Sequence, residues 1–148
     1  MSDLVTRDFS ALAADGYPLS MRLVSAPDPT VAVMVSSGTG FPKGFYDRFA
    51  RHLADRGAAV LTYDFRGIAG SRPDDLAAMQ MDYPDWGRLD MPAALEALAE
   101  AAPGLPIVHV GHSVVGTTEG DELAPVDRVA RRFPEAPIVV AHAAHPAT

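Results

Sequence analysis

A serine between glycines closes the third long apolar run of this sequence, in Gly111-His112-Ser113-Val114-Val115-Gly116. A serine hydroxyl at the turn from a buried strand into a helix has two uses. It can cap the helix, or it can attack an acyl carbonyl once a base has taken its proton. Small neighbours suit either role, because strand and helix nearly touch at such a turn. No thiol competes as nucleophile: the chain has no cysteine, which also removes disulfides and Cys-ligated metal sites.

Other polar residues could carry chemistry, and most have a plainer reading. Asp64 and Arg66 could pair in a site, but an Asp entering a Gly-rich loop more simply fixes that loop by accepting from its backbone N–H groups. Asp74 and Asp75 read as a solvated helix start. His109 sits inside an apolar strand and reads as a core histidine with its hydrogen bonds met. Tyr83 and Trp86 could line a pocket or pack a lid. His142 and His145 invite a metal, yet residues three apart on a strand point to opposite faces and no acidic residue follows either one. No metal site and no cofactor is expected. His145 as a base near Ser113 is a further, weaker possibility.

Elements that could position these residues are legible in the periodicity. Residues 5–12 and 19–24 flank Asp15-Gly16, a turn-forming pair, and so predict a hairpin. The runs at 31–35, 58–63 and 106–110 lack polar alternation, which predicts parallel strands covered on both faces. Between the first two, Phe45, Phe49 and Leu53 recur every four residues with Tyr46 and Ala50 beside them. That spacing predicts a helix burying this stripe, with Asp47, Arg48, Arg51, His52 and Asp55 outward and Gly57 as its C-terminal cap. A second helix is predicted over 92–102, with Asp90 as N-cap and Leu95 and Leu98 inward; a further helix and strand are predicted at 125–133 and 138–141. Strand and helix alternate throughout. The expected fold is therefore α/β, a doubly wound and mostly parallel sheet.

With those elements in place, Gly111-His112-Ser113 at the end of a buried strand resembles the nucleophile elbow of the α/β-hydrolases. The G-x-S-x-G pattern departs at its last position, where Val115 stands and Gly116 comes one place late. Gly38-Thr39-Gly40 occupies the position of the loop that supplies an oxyanion donor in that family. Tyr63-Asp64-Phe65-Arg66-Gly67-Ile68-Ala69-Gly70-Ser71 is similar to its D-x-R-G-x-G-x-S loop. Asp85-Trp86-Gly87-Arg88-Leu89-Asp90 is similar to the lead-in to the helix before the elbow. The resemblance spans roughly residues 16–116 and is nearest the esterase-like bacterial branch. It implies a serine hydrolase acting on an ester or related acyl substrate, with Ser113 as nucleophile and the backbone N–H groups of Thr39 and Val114 as oxyanion donors. It gives His112 a packing or hydrogen-bonding role, and it implies no cofactor.

Composition limits the alternatives. The 148 residues are 48% apolar and 21% charged, which fits one globular domain with a buried core. Twelve basic against nineteen acidic residues leave a net charge of −7, which opposes binding to nucleic acid or an anionic membrane. Met1-Ser2-Asp3-Leu4 has neither the basic nor the apolar stretch of a signal peptide, so a cytoplasmic protein is expected. Few residues follow Ser113, whereas the family orders its triad as Ser, then acid, then His. A single, incomplete α/β-hydrolase domain over 1–148 is expected, corresponding to the amino-terminal portion of that fold. Self-association through an uncovered sheet edge is expected with it. The rival reading is a non-catalytic α/β domain that binds or assembles without a complete triad.

Overall fold

Asp15-Gly16 turns the chain back on itself in a computed structural model that describes residues 3–112 and 138–143. Gly16 takes φ +87°, a left-handed conformation open to glycine, and its N–H donates to the Ala13 carbonyl at 2.9 Å. The turn joins β1 (Val5–Leu12) to β2 (Pro18–Ser25) as an antiparallel hairpin in which Phe9 faces Met21. The chain continues through β3 (Val31–Ser36), α1 (Asp47–Ala54), β4 (Ala58–Tyr63), α2 (Met91–Ala101), β5 (Ile107–His112) and β6 (Ile138–Ala143). One six-stranded sheet results, in the order β1-β2-β4-β3-β5-β6. β4, β3, β5 and β6 run parallel, and the hairpin joins antiparallel through β2 against β4. The doubly wound, mostly parallel sheet is as expected. The helix expected at 125–133 lies outside the described residues.

Alternating strand residues feed two cores, which is why the central runs carry no polar alternation. On one face, Met34, Leu61, Tyr63 and Ile107 pack beneath Leu95 and Leu98 of α2, all at most 1% exposed. Burial at that level is worth about 1.5–3 kcal/mol for each aliphatic side chain. On the other face Val33, Val35 and Val60 meet α1.

Two helical expectations are corrected. The buried face of α1 is Tyr46, Ala50 and Ala54, one residue along from the expected stripe; Phe45 and Phe49 are 61% and 41% exposed. Ala50 and Ala54 let the helix lie close on the valine face, which a row of phenylalanines would hold away. The rotation also lets Asp47, expected in solvent, accept from Arg22 Nη1 of β2 at 2.9 Å. Asp90 stands at the start of α2 but caps nothing with its side chain, because its carboxylate is engaged by Arg66. The turn before it, Trp86–Asp90, is a π-helix rather than a tight first turn. Gly57 closes α1 as expected, at φ +96° with its N–H on the Ala54 carbonyl.

Candidate active site

The parallel strands end along one edge of the sheet, and their register sets what meets there. Ser36, the last residue of β3, pairs with Gly111 of β5. The segment Ser37-Gly38-Thr39-Gly40 therefore leaves β3 at the level at which the adjacent β5 ends with His112. Ser113 and Val114 themselves lie outside the described residues, as does His145.

The loop after β3 is a turn, closed by the Phe41 N–H on the Gly38 carbonyl at 3.1 Å with Gly40 at φ +81°. The Gly38 N–H donates to the Tyr46 hydroxyl at 2.8 Å, and that hydroxyl lies 2.7 Å from His112 Nδ1. Burial holds the Tyr46 phenol above its usual range against the opposing pull of the Gly38 N–H, so it remains a hydroxyl at neutral pH. The hydroxyl thus accepts from Gly38 and shares one proton with Nδ1, either atom being the donor. Phe41 and Phe45 flank the same ring, with centroids at 5.4 and 6.4 Å, Phe45 nearly parallel to it. His112 thus both packs and hydrogen-bonds, as expected. Among the described residues no acceptor takes the backbone N–H of Thr39, while its hydroxyl meets the Tyr83 hydroxyl at 2.9 Å.

The opposite face of the sheet ties the same two strands together. Ser36 Oγ lies 2.6 Å from the Tyr63 hydroxyl and 2.7 Å from His109 Nε2. Among the described residues His109 finds one partner, through Nε2, where a core histidine with both hydrogen bonds met was expected. Its Nδ1 has no partner among the described residues, and burial pulls its pKa down to about 4. Burial also raises the Tyr63 phenol.

In the loop after β4, Asp64 accepts from one backbone N–H of its own loop as expected, and it also ties the loop to Lys43. Its carboxylate accepts from Lys43 N at 2.6 Å, Lys43 Nζ at 2.9 Å and Gly70 N at 3.1 Å. A Cβ on Gly70 would fall 2.7 Å from Ser20 Oγ, so a glycine is required there by close approach. Arg66, 3% exposed, donates through Nε and its backbone N–H to Asp90 and through both terminal nitrogens to Asp15, all within 3.0 Å. Burial works against its charge, but the two carboxylates outweigh it and raise its pKa; Arg66 in turn lowers that of Asp15. Trp86 stacks on Phe65 and donates to the Arg66 carbonyl at 3.1 Å, so it packs the loop. Asp75 accepts from the N–H groups of Ala77 and Ala78, as a helix start should.

Sequence reasoning missed Tyr46, Ser36 and Asp15 as members of this edge. Nothing local marks them, since each acts on residues distant in the chain. A groove of about 640 Å³ between β1 and α2, lined by Arg7, Phe9 and Glu100 among others, includes none of the residues of this edge. Among the described residues no three His, Asp or Glu side chains gather as a metal site requires, and no helix is long and apolar enough to cross a membrane.

Comparison with known proteins adds to this geometry. The family model described as serine aminopeptidase S33, a hydrolase family, matches residues 27–119. No curated protein sequence matches the chain. Among solved structures it is similar to a Pyrococcus furiosus esterase at 19% identity and TM-score 0.60, covering 73% of this chain and 42% of that one. A highly thermostable carboxyl esterase from Bacillus coagulans aligns at 17% identity and TM-score 0.63, covering 86% and 51% respectively. A probable hydrolytic enzyme from Pseudomonas aeruginosa aligns at 21% and 0.57, covering 95% and 42%. The chain spans about half or less of the length of these proteins. At such identities the likeness is one of fold.

Proposed function

The chain belongs to the serine aminopeptidase S33 family of the α/β-hydrolase superfamily, and on that premise we propose that it is a serine hydrolase acting on an ester or related acyl substrate through Ser113. The Ser113 hydroxyl attacks the acyl carbonyl as a histidine base takes its proton. The backbone N–H groups of Thr39 and Val114 hold the tetrahedral oxyanion. Collapse expels the alcohol, which regains the proton, and water then releases the acyl group from Ser113. β6 runs parallel to β5 with His142 in register with Gly111, which makes His142 and His145 the positions at which to seek the base.

One observation carries the reading. Ser36 pairs with Gly111, so the strand that leads into the Thr39 loop and the strand whose last residue, His112, precedes Ser113 in sequence are neighbours ending at the same level. An oxyanion site needs two donors around one point, and adjacent parallel strands ending at one level support that reading. The substrate implied is a small acyl compound.

Hydrolysis of short-chain p-nitrophenyl esters by the purified chain tests this. A rate above buffer that disappears in Ser113→Ala is expected. Hydrolysis that survives the substitution, or none at all, would show the serine to be a structural remnant in a domain that works by binding.

A further inference from the structure

We propose that Tyr46 is a positioning residue for oxyanion binding: its hydroxyl ties the amide beside Thr39 to the imidazole beside Ser113. The inference rests on the hydrolase reading above. Gly38 precedes the candidate donor Thr39, and His112 precedes the candidate nucleophile Ser113. These two chain segments come from different strands, and one hydroxyl bonds both, at 2.8 Å to Gly38 N and 2.7 Å to His112 Nδ1.

The bridge is held at both ends and at its middle. Tyr46 is 7% exposed and packs among Val33, Val35 and Ala50 beneath the start of α1. Its ring also stands edge-on to Phe45 and to His112. The Gly38–Phe41 turn carries Thr39 rigidly with Gly38, while Phe41 and Phe45 confine the His112 ring. The placement also accounts for the rotation of α1. Turning the helix to bury Phe45 would carry the Tyr46 hydroxyl away from Gly38.

A phenylalanine at position 46 keeps the ring and removes the bridge. Gly38 N–H and His112 Nδ1 then lose a shared partner, and the Thr39 loop is free to shift relative to Ser113. Removing an oxyanion donor outright costs about 10²–10³ in kcat, so loosening one should cost on the order of tenfold. KM should stay within about twofold, since the interaction strengthens only in the transition state.

The test measures Tyr46→Phe in two ways. Ester kinetics should show kcat reduced with KM kept. Nitrogen-15 NMR, which needs no substrate, should show changed His112 Nδ1 and Nε2 shifts in the variant, with the Gly38 amide proton shifted upfield. Unchanged NMR signals overturn the proposal, and so does a changed spectrum with an unchanged kcat. If the wild type hydrolyses nothing while the NMR signals do shift, the hydrolase reading has failed and this inference falls with it. Should Tyr46→Phe not fold, His112→Leu removes the imidazole while keeping an apolar side chain. A wild-type kcat in that variant overturns the proposal equally.

Discussion

Acidifying the protein should remove stability through a single buried imidazole. His109 is 4% exposed, hydrogen-bonded through Nε2 to Ser36, and held neutral by burial with a pKa of about 4 against an ordinary 6.5. The unfolded chain therefore binds a proton below pH 6.5 that the native state refuses until pH 4. Stability falls as pH drops through that window and, for this group, levels off below it. Each pH unit within the window costs about 1.4 kcal/mol, so the loss between pH 7.5 and pH 4.5 is about 2.5 kcal/mol. Urea denaturation of the wild type and of His109→Gln at those two pH values isolates the effect. Glutamine can still bond Ser36 but does not titrate, and carboxylates such as Asp15 contribute equally to both proteins. The wild type should lose about 2.5 kcal/mol more than the variant on acidification. Parallel pH dependence in the two proteins, or an NMR titration of His109 centred near 6.5, would refute the reasoning.

Asp90→Ala strands the guanidinium of Arg66 beneath the surface with only Asp15 to pair it, and should destabilise by about 3–5 kcal/mol in chemical denaturation; a loss below about 1 kcal/mol would mean that Arg66 finds water. Ala50→Leu intrudes on the face of α1 that lies flat on the sheet and should cost about 1–3 kcal/mol. Phe49→Ser, on the exposed side, should change stability by less than about 0.5 kcal/mol. The reverse ranking of these two substitutions in melting experiments would restore the phenylalanine stripe as the buried face.

The parallel strands were readable because a strand buried on both faces must be apolar throughout, and the runs at 31–35, 58–63 and 106–110 have no other economical use. The hairpin was readable from Asp15-Gly16, where the turn needs a positive φ. Asp64 was readable as an anchor of its loop because one partner, Gly70 N–H, lies six residues on, whereas its two bonds from Lys43, 21 residues back, were not. The face of α1 was misread by one residue: periodicity weights the large Phe45 and Phe49, whereas close approach to the sheet favours Ala50 and Ala54. Asp90 was read as a local cap because its true partner, Arg66, is 24 residues away. Tyr46 bridges residues 8 and 66 positions distant, and no pattern along the chain encodes a contact of that reach. The Ser113 pattern was legible as a nucleophile candidate, and its chemistry is a matter for direct reaction.

The most direct test is covalent labelling of the full chain with a serine-directed fluorophosphonate, followed by mapping of the adduct by peptide mass spectrometry. An activated Ser113 beside an oxyanion site attacks phosphorus as it would an acyl carbonyl. The account predicts one adduct per chain, located on Ser113, absent in Ser113→Ala and absent in urea-unfolded protein. A folded wild type that takes no label, or one whose label persists in Ser113→Ala, contradicts it.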